Sequence, residues 1–225
     1  IDTALAYKNT DKRFGKIGVE NFKIITKFEY TDSKINFDII KNKIEDSLNN
    51  LRIKKFYGIL LHTPDALLSK NKKYLFDIFS QLKETKLTSK IGVSVYDYDK
   101  YKNYFESNLF EIIQGPYNLF DRRVENSGYL NLFQRNNIEF FSRSIFLQGL
   151  ILQKTNTIDI YFKELDEIFN KLDKNLDKMS LSRYEASLIL NFTNTKINKI
   201  ILGINNLNQL KMTKKYLSGL KEAIK

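Results

Sequence analysis

Cysteine and tryptophan are absent from the 225 residues, and there are only two prolines, nine glycines and one histidine. Without cysteine there is no disulfide framework, no thiolate nucleophile and no cysteine-ligated metal. A lone histidine, His62, makes a histidine-rich metal site implausible as well, so no metal is expected. So few prolines and glycines leave no room for a flexible linker or a low-complexity tail, and residues 1–225 are expected to form a single domain. No apolar run approaches the roughly 18 to 20 residues that cross a bilayer; no membrane association is expected, and the chain is placed in the cytoplasm. It opens on Ile1, inside a structural element, which leads us to expect a further N-terminal segment upstream.

Negative charge is also in short supply. Lys and Arg outnumber Asp and Glu 37 to 26, for a formal net charge of +11. A basic chain can bind nucleic acid, but such proteins cluster their charge. Here lysines are spread along the whole chain, and the densest stretch, Lys70 to Lys73, reads as a solvated helix start. No nucleic-acid partner is expected; the charge serves at most to attract a phosphorylated ligand.

What is present is a regular alternation. Near-continuous apolar runs fall at residues 1–7, 23–28, 56–62, 90–95, 110–115, 138–143 and 199–203. Helical stretches separate them, at residues 11–20, 37–51, 72–85, 158–172, 183–192 and 207–220. The 37–51 stretch carries Ile40, Ile44, Leu48 and Leu51, an i, i+4, i+8, i+11 stripe. Apolar strands separated by helices predict a parallel sheet covered by helices. A doubly wound nucleotide-binding fold would place G-x-G-x-x-G after its first strand, and no such motif occurs. The seven predicted strands point instead to an α/β chain of the (β/α)₈ TIM-barrel class, with the first βα unit missing from this chain.

Reactive side chains gather at the C-terminal ends of those strands, where barrel enzymes build their sites. The first run carries Asp2 and Tyr7, the second ends at Lys27, and the third ends on His62. An acid, a phenol, an amine and an imidazole together suit a reacting carbonyl.

These residues sit in segments that resemble the aldo/keto reductase family. Asp2-Thr3-Ala4-Leu5-Ala6-Tyr7 followed by Phe14-Gly15 is similar to its D-T-A-x-x-Y…L-G stretch, and Ile25-Thr26-Lys27 to its T-K strand end. Leu61-His62-Thr63-Pro64-Asp65 resembles L-H-x-P-D, and Ile91-Gly92-Val93-Ser94 resembles I-G-V-S. Gln114-Gly115-Pro116-Tyr117-Asn118, Gln148-Gly149-Leu150 and Ile201-Leu202-Gly203…Gln209-Leu210 resemble Q-x-x-Y-N, Q-G-L and I-x-G…Q-L. Seven segments in order at plausible spacing are far more specific than any one of them.

The resemblance implies an NAD(P)H-dependent reductase of a small-molecule aldehyde or ketone, with Asp2, Tyr7, Lys27 and His62 as its catalytic tetrad. Tyr7 would be the proton donor, Lys27 the cation that tunes it, Asp2 the partner of Lys27, and His62 the residue that orients the carbonyl. It further implies that Ser94 and Gln114 bind the nicotinamide carboxamide. Arg143 would stack on the ring, Ser144, Phe146 and Gln148 would cover the pyrophosphate, and Gly203 and Gln209 would lie at the adenosine phosphate end. NADP(H) is placed ahead of NAD(H) on family grounds.

Departures from the pattern qualify this. Val95 stands where the family commonly has Asn, Arg143 where it has an aromatic, Gly203 and Gln209 where it has Lys and Arg, and Thr213 where it has an adenine-binding Asn. Two charge-assisted contacts to a 2′-phosphate are thereby lost. Arg143-Ser144 with Phe146-Leu147-Gln148 resembles a bacterial branch associated with surface-polysaccharide sugars, which implies a sugar-derived carbonyl. The alternatives are a non-catalytic, cofactor-binding regulatory protein on the same scaffold, and Schiff-base chemistry at Lys27. Asp2 and Tyr7 oppose the second by keeping the amine charged. Oligomeric state is not encoded in any feature of the sequence.

Overall fold

A computed structural model of the chain describes residues 1–31, 36–70, 72–107, 109–153 and 164–223. Six strands alternate with helices: α1 (Thr10–Ile17), β1 (Ile25–Phe28), α2 (Phe37–Leu51), β2 (Phe56–Leu61), α3 (Lys72–Glu84), β3 (Thr88–Ser94), α4 (Lys102–Phe105) and β4 (Ile112–Pro116). They continue with α5 (Arg123–Asn126), α6 (Tyr129–Arg135), β5 (Glu139–Arg143), α7 (Asp166–Asp177), α8 (Arg183–Thr193), β6 (Lys199–Ile200) and α9 (Leu207–Ala223). The strands are parallel and pair in chain order from β1 to β6. A doubly wound sheet reverses its strand order at a switch point; this one never does, which is the barrel topology.

The first predicted strand is a correction. Within residues 1–7 only Asp2 forms a bridge, to Ile25, and the chain then turns through Tyr7 N–H to Ala4 O at 2.9 Å. Six strands, not seven, are found among the described residues. The helix expected at residues 158–172 lies partly outside them, and its described part begins at Asp166 and runs to Asp177. The last strand is shorter than expected, ending at Ile200, although Ile201 N–H still donates to Ser142 O at 2.8 Å.

The chain divides into two units, Ile1–Gly115 with Asn131–Phe140, and Pro116–Leu130 with Phe141–Lys225. In the first, β1 is buried at every position, as is β2 apart from Tyr57. A strand covered on both faces is what a parallel sheet demands. The α2 stripe of Ile40, Ile44, Leu48 and Leu51 is buried as its spacing predicts, each such side chain contributing about 1.5–3 kcal/mol. Asn36 caps this helix by accepting from Ile39 N–H at 3.0 Å. Edge-to-face pairs extend the core, Phe79 meeting Phe28 at 5.9 Å and Phe110 at 5.5 Å between ring centroids. Gly15 lets α1 approach α2 so closely that an added Cβ would stand 1.9 Å from Asn50 O, so only glycine fits there.

The N-terminal ends of the strands carry a polar cluster. Tyr57 O–H donates to Glu139 at 2.7 Å, and Lys90 Nζ meets the same carboxylate at 2.7 Å. Burial, then the Glu139 contact, pushes the Tyr57 phenol up from its ordinary value. This end of the sheet is held together by ion pairs, and its phenol stays protonated.

In the second unit, α8 opens on a capping box in which Ser182 accepts from Glu185 N–H and Glu185 accepts from Ser182 N–H. The sequence Ser182-Arg183-Tyr184-Glu185 is the S-x-x-E signature of such a start. Phe169 of α7 packs edge-to-face on Phe120 at 5.3 Å.

Candidate active site

Two backbone hydrogen bonds, Thr3 N–H to Ile25 O and Leu5 N–H to Lys27 O, both 2.9 Å, lay residues 2–5 along β1. This places Asp2 beside Lys27. The Lys27 ammonium is only 3% exposed and lies 2.7 Å from Asp2 Oδ1, with Thr3 O accepting a second bond at 2.9 Å. A buried ammonium needs such partners, because desolvation otherwise drives off its proton.

Lys27 Nζ stands 5.9 Å from the centre of the Tyr7 ring. The Tyr7 and His62 rings meet edge to face, 6.4 Å apart at 84°. His62 follows β2 and is fixed by its own N–H donating to Phe28 O at 2.7 Å. The four residues expected to act together are therefore clustered in one unit. Tyr7 differs from the others in being 47% exposed, and it lines a cavity of about 340 Å³ with Phe28, Glu29 and Lys43. That cavity runs along the Tyr7 turn, α1 and α2, and Asp2, Lys27, His62, Ser94 and Gln114 are not among its lining residues.

Ser94 and Gln114 are register partners across β3 and β4, both buried. Gln114 does more than expected: its Nε2 donates to Asp2 Oδ1 at 3.1 Å. One carboxylate oxygen thus accepts from both Lys27 and Gln114, linking the predicted carboxamide pair to the tetrad.

In the second unit a cavity of about 780 Å³ is lined by Ser144, Phe146, Gln148, Gly203 and Gln209, five of the residues expected to hold a cofactor. Arg143 is not among its lining residues; its Nη1 donates to Ser144 Oγ at 3.3 Å. The loop after β5 is bent sharply, with positive φ at Ser144, Leu147, Gln148 and Gly149. Phe146 stacks on Tyr184 at 5.2 Å and 13°, and Tyr184 Oη lies 2.7 Å from Thr213 Oγ1. At Gly203 an added Cβ would meet nothing within 4 Å. The volume lies within the range of small-molecule and cofactor pockets, and aromatic faces with neutral hydrogen-bonding groups suit a nucleotide, so these residues fit the nicotinamide cofactor.

Several residues that matter here had no role assigned from sequence. Glu29 stands 3.7 Å from His62 Nδ1, an ion-pair distance beyond hydrogen-bond reach. Asp65, next to the histidine motif, accepts from Lys100 and Tyr101, both at 2.5 Å. The Lys100 ammonium first, then the Tyr101 hydroxyl, hold its carboxyl below the usual range; it serves to anchor the turn at Pro64–Leu68. Asn118 is wholly buried. Its Oδ1 accepts from Phe120 and Asp121 N–H, each at 2.9 Å, and its Nδ2 donates to Ser144 O at 3.1 Å. The Q-x-x-Y-N segment contained Asn118, but nothing local could reveal that it braces a loop 26 residues away.

Replacing Asn118 by Ala deletes three hydrogen bonds and strands two backbone N–H groups and a carbonyl. At about 1–1.5 kcal/mol for each such bond, a loss of about 3 kcal/mol in stability is expected by denaturant titration.

The aldo/keto reductase family profile matches residues 1–220, and the chain belongs to the aldo/keto reductase family. Its members are oxidoreductases of carbonyl compounds that bind nicotinamide cofactors. No curated protein matches the sequence. Among solved structures, an aldo-keto reductase from Bacillus halodurans is similar at 19% identity. In its apo form the match covers 96% of this chain and 74% of that one with a TM-score of 0.76, and in its holo form 96% and 75% with 0.75. A thermostable aldo-keto reductase in complex with the inhibitor epalrestat matches at 19% identity over 97% of this chain and 76% of that one, with a TM-score of 0.72. These likenesses establish the (β/α)₈ barrel fold. Among the described residues no group of three or more His, Cys, Asp or Glu is placed to hold a metal, and no helix is long and apolar enough to cross a membrane.

Proposed function

We propose that this protein reduces an aldehyde or ketone to an alcohol, with Tyr7 as proton donor and Asp2, Lys27 and His62 as its supporting residues. The observation that supports this is the cluster itself: a half-exposed phenol ring with a buried ammonium 5.9 Å from its centre, that ammonium held by a carboxylate at 2.7 Å, and the His62 ring edge to face beside it. A bound reduced nicotinamide supplies a hydride to the carbonyl carbon and is itself oxidised.

As that bond forms, the π electrons move onto the oxygen, which takes the Tyr7 proton. A free phenol titrates near pH 10, so it is a poor acid at neutrality until a cation stabilises the phenolate. Lys27 supplies that cation, and Asp2 keeps it charged. The phenolate regains its proton from water on the exposed side of Tyr7. His62 donates to the carbonyl oxygen and fixes its direction. Ser94 and Gln114 would hold the carboxamide of the nicotinamide, Arg143 would stack on its ring, and Ser144, Phe146, Gln148, Gly203 and Gln209 would hold the adenosine and phosphate end.

The test is consumption of NADH or NADPH by the protein with a small reactive aldehyde, followed at 340 nm alongside direct binding. Turnover is the expected outcome. Tight nucleotide binding with no turnover on a panel of aldehydes, ketones and sugar-derived carbonyls would contradict it and favour a non-catalytic, cofactor-binding role.

A further inference from the structure

The cavity of the second unit has a charge inventory unsuited to one form of the cofactor. Among the described residues that line it, only Asp173 and Arg183 are charged, and they are bound to each other. Arg183 Nε and Nη2 each lie 2.6 Å from an Asp173 oxygen, a bidentate pair. Arg183 Nη1 donates to Ile151 O and Gln153 O, and the guanidinium carbon sits 4.4 Å from the Phe169 ring centre. The side chain is 10% exposed. It is an anchor for the chain around Gln153, already neutralised.

The other groups are neutral and largely engaged with one another. Gly203 has no side chain to offer. Gln209 Oε1 accepts from Asn205 N–H at 2.8 Å, and Gln209 O accepts from the Thr213 hydroxyl at 2.7 Å. The start of α9, whose dipole favours an anion, is capped: Asn206 Oδ1 accepts from Gln209 N–H at 3.0 Å. Three lysines of α9 lie off this face. Gln209, Met212 and Thr213 line the cavity, and helical periodicity turns Lys211, Lys214 and Lys215 away from it, all three exposed. Glu185 accepts from the N–H and hydroxyl of the lining residue Ser182, and those bonds hold its carboxyl below the usual range.

We propose that this cavity excludes the 2′-phosphate, so that the protein uses NAD(H) in preference to NADP(H). The proposal rests on the reading that the cavity holds the adenosine end of the cofactor. A free ribose 2′-hydroxyl needs only neutral partners such as the Gln209 amide, and these are present. A dianionic phosphate in the same place needs charge-assisted donors, about twice as strong as neutral ones, and without them it loses hydration with no replacement. The general positive charge of the chain does not rescue it, since exposed charges are screened beyond about 8 Å at physiological salt.

The experiment is calorimetric titration of the protein with NADH, NADPH, 5′-AMP and adenosine 2′,5′-bisphosphate, repeated on Gly203→Lys. NADH is expected to bind at least about tenfold more tightly than NADPH, with 5′-AMP favoured over the bisphosphate in the same sense. Gly203→Lys places an ammonium in open space and is expected to shift the NADPH to NADH affinity ratio at least about tenfold toward NADPH. Equal or tighter binding of NADPH by the unaltered protein overturns the preference. Binding of neither dinucleotide overturns the adenosine-site reading together with it. Preferential NADH binding without carbonyl turnover upholds the preference and overturns the reductase reading alone.

Discussion

Tyr7→Phe is expected to lower kcat by about 10²- to 10⁴-fold, the usual contribution of a positioned general acid, while leaving the Kd for NADH within about twofold. The ring stays, and with it the edge-to-face contact to His62 and the 5.9 Å approach of Lys27. Only the hydroxyl is removed. Tyr7 is 47% exposed, and its ring packing is kept by phenylalanine. The measurement is kcat and KM with a small aldehyde, beside a fluorescence titration of NADH. A weakened Kd with unchanged kcat would place Tyr7 in cofactor binding instead of proton transfer.

Asp2→Ala has the second large expected effect, and this one reaches stability. Lys27 is 3% exposed and its charge is held chiefly by Asp2 at 2.7 Å. Removing one member of a buried pair leaves an uncompensated charge, at a cost of about 3–5 kcal/mol. Gln114 loses its acceptor at the same time. Denaturant unfolding should record this loss, and turnover should fall as well because Lys27 is no longer fixed behind Tyr7. The double variant Asp2→Ala/Lys27→Met separates the two consequences. With no buried charge left, it should recover much of the lost stability, as apolar replacements of buried pairs often do, yet recover no activity. Recovery of activity in the double variant would show that neither residue tunes the phenol.

The legible parts of the fold were those in which one periodicity governed a whole element. Residues 37–51 form a helix with the bounds expected, since the Ile40, Ile44, Leu48 and Leu51 stripe and the Asn36 cap agree. β2 ends one residue before His62, so the imidazole stands at a strand's C-terminal end as anticipated. The 1–7 run misled because its apolar pattern is interrupted by a turn: Tyr7 N–H is spent on Ala4 O and cannot join a ladder. Pattern alone does not say where a backbone donor goes.

The candidate site divides in the same way. Asp2, Lys27, Tyr7 and His62 were recognisable as a set because they sit in ordered motifs near strand ends. The Gln114 to Asp2 bond, 112 residues apart in sequence, was not, because it depends on β3 and β4 returning beside the first segment. The Arg183–Asp173 pair is a similar case. Each residue reads as an ordinary surface charge on an amphipathic helix, and only the fold reveals that they cancel within the cavity. Charges that neutralise each other across helices change what a pocket can bind without altering any motif.

The most direct test of the central claim is the fate of a label. The protein is supplied with NADH carrying deuterium at the transferable position of nicotinamide C4, with an aldehyde in ordinary water, and the alcohol is examined by mass spectrometry and NMR. One deuterium on the carbinol carbon, none on the hydroxyl after exchange, and near-complete loss of product with Tyr7→Phe is the predicted result. Product with no deuterium on carbon, or equal product from the Tyr7→Phe variant, would contradict direct hydride transfer with Tyr7 as the proton donor.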